Sequence, residues 1–174
     1  MIGKRFVLLV LCLTVCAAAV QAGPKEFTKG AFYLTPQAGF NSFTIPFGVN
    51  AEFAISPNIG IGGTAMAWLW SDEWYSQTVI SLAAEALYHF TGLNAAKLDL
   101  FAGAGLGYSI YSYSIKAGFL DLGGTGGSGL HIGLILGGRY WFSPKMAVSL
   151  RLNQAFLGDW GGFGGQLGVT FRMK

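Results

Sequence analysis

Eight side chains carry most of the chemistry open to this sequence: His89 in "YHFTG", His131 in "GLHIG", and the charged residues Glu52, Glu85, Asp99, Arg139, Arg151 and Arg172, each set among apolar neighbours. An imidazole can act as general base or metal ligand, and a carboxylate can orient it. The chain has no G-x-S-x-G elbow, no histidine cluster with metal-ligand spacing and no phosphate-binding strand–loop–helix unit. No catalytic residue, metal or cofactor is therefore assigned. A Ser–His–acid triad assembled from distant segments stays open. Both cysteines, Cys12 and Cys16, fall in the first 22 residues, so once those are removed neither a disulfide framework nor a cysteine-ligated metal is possible.

Those 22 residues read as a secretory signal peptide: Lys4 and Arg5, an apolar run from Phe6 to Cys16, then "AAAVQAG" with small residues at the expected cleavage after Ala22. The domain is then 23–174. Removing Lys4 and Arg5 from the 11 basic residues leaves 9 against 8 acidic ones, a net charge of +1, which gives no argument for nucleic acid. Hydrophobic residues make up 52% of the chain and charged ones 11%, well under the roughly 25% of soluble domains. No later segment is a clean apolar run of helix-spanning length. The hydrophobicity is instead spread over alternating positions.

Period-two reading predicts eight strands, at about 30–41, 46–56, 59–70, 77–90, 98–112, 129–142, 146–156 and 163–173. Most are longer than the usual 5–6 residues and long enough to cross a bilayer at a tilt, which takes at least about 9–11. Short turns such as "SPN" (56–58) and "SPK" (143–145) alternate with longer connections, among them 116–129, whose glycine run at 123–129 reads as a mobile loop. The fold class that follows is all-β: an eight-stranded antiparallel up-and-down transmembrane β-barrel.

Alternation assigns Phe47, Val49, Phe53 and Ile55 to the lipid side of the second strand. Ile80, Leu82, Tyr88 and Phe90 take that side on the fourth, and Leu130, Ile132, Leu134, Leu136, Tyr140 and Phe142 on the sixth. The same register turns Glu52, Glu85, Asp99, Arg139, Arg151 and Arg172 inward, three acids and three arginines. A lysine or arginine facing lipid at mid-membrane costs about 2–4 kcal/mol, so finding all six on one side supports the register. Buried ions are tolerable only when paired, and a polar interior network joining these six is expected. Aromatic residues near the strand ends would form two interfacial girdles: Trp68, Trp70, Trp74, Tyr75, Tyr111, Tyr113 and Trp160 on one side, Tyr88, Phe90, Tyr140, Trp141 and Phe142 on the other. Trp68 and Trp141 also fall on the inward register, where with Met66 and Leu87 they add bulk. Inward glycines such as Gly60, Gly103, Gly107 and Gly137 remove volume and leave room for a water-filled pocket at one end.

Segments such as "KLDLFAGAGLGYS" and "GLILGGRYWFSPKMAVSLRL", within eight strands behind a signal peptide, resemble the small outer-membrane barrels of the OmpA/OmpX-like type. The ending "GGQLGVTFRMK" is similar to their last strand, a polar-x-Gly-x-x-aromatic-x-hydrophobic signal matched by Gln166, Gly168, Phe171 and Met173. The resemblance implies an outer-membrane location, recognition by the barrel-assembly machinery, and outer-membrane lipid and lipopolysaccharide as surroundings. A monomer without cofactor is expected, with a largely plugged interior and a structural or surface-interaction role for the outer loops. The alternatives are a narrow pore or small-solute porin and a lipid A-modifying enzyme. Lipid A deacylases of similar build place a serine two residues from the histidine, where this chain has Thr91 and Gly133. No enzymatic activity is expected.

Overall fold

The computed structural model describes residues 27–41, 44–71, 74–91, 97–117, 120–157 and 162–173. The expected signal peptide and Trp160 lie outside these residues. The described chain forms eight strands: β1 (Phe32–Phe40), β2 (Phe47–Ala54), β3 (Ile59–Ser71), β4 (Tyr75–His89), β5 (Leu98–Ala117), β6 (Leu120–Ser143), β7 (Met146–Leu157) and β8 (Phe163–Met173). Each pairs antiparallel with its sequence neighbour, and β1 closes on β8 from Phe32↔Met173 to Phe40↔Gly165. Closure gives every strand a hydrogen-bonded neighbour on both sides within the ring, the one way a β-sheet can sit in lipid.

The first and last described residues, Phe27 and Met173, the turns 55–58 and 144–145, and the facing ends of β4 and β5 lie at one end of the barrel, here the turn end; the opposite end is the loop end. The two Ser-Pro turns use one device. Ser56 Oγ accepts from the backbone N–H of Ile59 at 2.9 Å, and Ser143 Oγ from that of Lys145 at 3.3 Å, so the hydroxyl takes an amide that the proline-kinked chain frees from the ladder.

Every residue that alternation assigns outward is exposed, from Val49 at 36% to Leu130 at 63%. With Phe156, Leu150 and Leu167 they form a continuous apolar band far larger than water-soluble proteins carry, for which lipid is the fitting solvent. Two expectations fail. The described residues of 116–129 are not a loop: β5 and β6 run on as a ribbon of 20 and 24 residues, interrupted by one irregularity between Ser114 and Lys116, and 118–119 lie outside the described residues. Gly124, Gly126 and Gly129 lie opposite serines and Gly127 opposite Tyr111; a Cβ at Gly127 would strike the phenol of that partner, so glycine here lets a ring cover the neighbouring strand. The girdles are also thinner than expected. Trp141 is 1% exposed inside the barrel, as its inward register but not its place in the girdle required, and Tyr111 shares the inner face with its partner Val79, which is fully buried. Alternation decides the face, and proximity to a strand end does not override it. Tyr88, Phe90, Tyr140 and Phe142 do face outward at the turn end.

Candidate functional site in the barrel lumen

Inward side chains stack in layers along the lumen. At the turn end, β4 carries His89 between two acids: Nε2 lies 2.7 Å from Glu52 of β2, and Nδ1 lies 2.7 Å from Asp99 of β5. Arg139 of β6 donates to the second Glu52 oxygen and approaches Asp99 at 3.7 Å. With both acids ionised only a doubly protonated imidazole can donate to both, and the four charges then sum to zero. The group is walled by aromatic rings. Arg139 lies between Tyr33 and Phe101, 5.3 and 5.0 Å from their centroids, and Phe27 stacks on His89 at 3.5 Å. Glu52, His89 and Arg139 are each no more than 1% exposed.

Phe27 reaches this place because the chain folds back before β1. Ala31 N–H donates to Thr28, Thr28 N–H donates to the Tyr33 hydroxyl at 2.9 Å, and Gly30 takes a φ of +83° that a side chain would strain. Phe27, Ala31, Tyr33, Ala54, Trp141 and Ala147 form one buried apolar cluster beneath the ionic group.

Leu87, Phe101 and Ile135 form a second apolar cluster, and a second ion pair lies nearer the loop end. Arg151 of β7 donates to Glu85 of β4 at 2.7 Å, and the same carboxylate accepts from Asn50 at 3.0 Å and Thr64 at 2.6 Å. Glu85 and Arg151 also form the floor of a cavity of about 170 Å³ that opens toward the loop end past Trp68 and Gln166. Within it Ser109 Oγ stands 3.4 Å from His131 Nδ1 and donates to Ser81 at 3.1 Å.

Five of the six charges read from the sequence thus fall into two groups rather than one. Glu52, Asp99 and Arg139 meet at the turn end, and Glu85 with Arg151 near the middle. Arg172, half-buried opposite Tyr33 on β8, joins none of the ion pairs among the described residues. Sequence reading placed His89 inward but missed that it bridges two acids, and it missed Phe27 altogether. Two more glycines serve the site directly. A Cβ at Gly60 would collide with the Glu52 carboxylate and one at Gly137 with the Phe101 ring. Of the assembly-signal residues, Gln166 is buried and accepts from Asn153, Gly168 pairs with Ser149, Phe171 is half-buried, and Met173 is exposed at the barrel's end.

A closed eight-stranded antiparallel meander is the fold of the small outer-membrane β-barrels. The N-terminal β-barrel domain of Pseudomonas aeruginosa OprF superposes with a TM-score of 0.64 at 16% identity, covering 83% of this chain and 98% of that one. OprG of Pseudomonas aeruginosa gives 0.63 at 10% identity, covering 88% and 99%. Ail, the attachment invasion locus protein of Yersinia pestis, gives 0.53 at 13% identity, covering 84% and 100%. No protein-family model and no curated protein sequence matches the chain. At these identities the likeness is one of fold.

Proposed function

We propose that this protein is an integral outer-membrane barrel whose lumen is closed at the turn end and whose role is structural or surface-interacting, through the loop end, with no through-conduction. The observation that carries this reading is the ionic group Glu52–His89–Asp99–Arg139, sealed by Phe27, Tyr33, Phe101 and Trp141 with no member more than 8% exposed. Eight strands enclose a space that side chains can fill, and here charged groups fill it as pairs. Export would use the 1–22 leader, and insertion would use the last strand, with Gln166, Gly168, Phe171 and Met173 read by the barrel-assembly machinery. The inserted barrel would be a monomer among outer-membrane lipid and lipopolysaccharide. Ail, the attachment invasion locus protein, and Neisserial surface protein A (NspA) are folds of this kind, and their names speak of attachment and of a surface.

A narrow pore is the second reading, favoured by the cavity above Arg151 and Glu85. The Ser109–His131 contact is what a lipid A hydrolase reading would build on, although 3.4 Å is long for an activated nucleophile and no described carboxylate bonds the ring's other nitrogen. Planar-bilayer recording of the refolded barrel, with mass spectrometry of lipid A before and after incubation, separates the three. Absence of stable current steps and unchanged lipid A are expected. Reproducible single-channel steps would establish the pore, and loss of an acyl chain that disappears in His131→Ala would establish the enzyme.

A further inference from the structure

The ion pairs of the lumen cancel among themselves, and the exposed cations gather elsewhere. Lys29 lies before β1, Lys97 immediately before β5 and Lys145 in the turn between β6 and β7, all exposed at the turn end. None joins an ion pair among the described residues, and no described acid is exposed at that end, because Glu52 and Asp99 are buried in the ionic group. Backbone bonds pin two of them to the rim: Trp141 N–H donates to the Lys97 carbonyl at 2.7 Å, and Arg172 N–H to that of Lys145 at 2.8 Å.

Their height is set by the outward rings. Lys29 stands three residues before Phe32, Lys145 three after Phe142, and Lys97 beside Leu98, whose register partner is Tyr140; all three rings are exposed on the outer wall. Aromatic residues on a membrane-facing wall mark the headgroup level, and a lysine stem can lie along such apolar surface while its ammonium reaches the phosphates. Round the closed ring the lysines fall on the arc from β5 through β8 to β1, and strands about 4.8 Å apart space them roughly 10–15 Å from one another. Point charges spread along a rim suit a sheet of phosphates better than one small anion.

We propose that the turn-end rim is a cationic collar that gathers anionic phospholipid headgroups, through Lys29, Lys97 and Lys145, from the leaflet that the short turns face. The collar rests on the membrane-embedded reading given above, in which short turns are periplasmic and that leaflet is the inner one.

The test uses the full barrel refolded into nanodiscs of equal phosphatidylglycerol and phosphatidylcholine, with native mass spectrometry counting the lipids it retains. One lysine near an anionic surface is worth about fivefold, so retained phosphatidylglycerol exceeds phosphatidylcholine by about fivefold or more. The excess falls below about twofold in Lys29→Gln/Lys97→Gln/Lys145→Gln, is kept when the same three become arginine, and is unchanged in Lys116→Gln at the far end of β5. Equal retention on the wild type, an excess that survives the glutamine triple variant, or an equal loss in Lys116→Gln overturns the collar. Should the triple variant fail to fold, the three single variants decide, and unchanged retention in all of them rejects it. Heat-modifiable gel mobility reads insertion separately: a wild type that does not insert overturns the membrane reading and the collar together, whereas insertion without headgroup preference overturns the collar alone.

Discussion

Replacing Arg151 by leucine removes the only charged partner that Glu85 has among the described residues. The two side chains are 2% and 6% exposed and 2.7 Å apart, so the carboxylate would be left buried and uncompensated, a change that ordinarily costs about 3–5 kcal/mol. Glu85 would keep Asn50 at 3.0 Å and Thr64 at 2.6 Å, and hydrogen bonds to a charged acceptor each contribute about 1.5–3 kcal/mol. Those donors, and water entering from the cavity beside it, place the expected loss at the lower end, about 3 kcal/mol, or roughly a hundredfold in the folded-to-unfolded ratio. Arg151→Leu/Glu85→Leu should recover to within about 1 kcal/mol of wild type, because a buried ion pair is worth little more than the apolar pair that replaces it. Equilibrium urea unfolding in lipid vesicles, followed by tryptophan fluorescence and by heat-dependent gel mobility, measures the wild type, both single variants and the double variant. A neutral Arg151→Leu, or a double variant as unstable as the sum of Arg151→Leu and Glu85→Leu, would refute the pairing.

Two further outcomes follow from the chain's ends. Phe171→Asp should sharply reduce the membrane-inserted fraction in cells, read as heat-modifiable protein in outer-membrane preparations, and normal insertion would count against an assembly signal in β8. Phe27→Ala strips the ring that stacks on His89 and should cost about 3 kcal/mol while opening Trp141 to a water-soluble quencher; unchanged quenching would show that Phe27 does not seal the turn end.

Which side chains face lipid and which face the lumen was legible in the residue order, because successive residues of a strand point to opposite faces whatever the strand pairs with. Phe53 beside Glu52, and Tyr140 beside Arg139, sort themselves without reference to the rest of the chain. The strand number was equally legible, since Ser-Pro turns and clustered small residues punctuate the alternation. Two readings failed where a local cue was set against pairing. The glycines of 123–129 resemble a loop by composition, yet paired with β5 they make a strand, three of them opposite serines and Gly127 leaving room for the ring of Tyr111. Trp141 resembles an interface anchor by position, yet its parity carries it inside.

What the residue order could not show is which inward groups meet. Glu52, His89, Asp99 and Arg139 come from four strands, and their contact depends on the stagger with which the barrel closes, a property of all eight pairings together. A different stagger would slide Arg139 along the lumen toward Glu85 and leave His89 without one of its acids. The return of Phe27 onto His89 rests on the left-handed turn at Gly30 and on the space that closure leaves above it. The sequence therefore settled the faces, which alternation determines locally, and the tertiary structure settled the partners, because ring closure alone decides the height at which each charge sits.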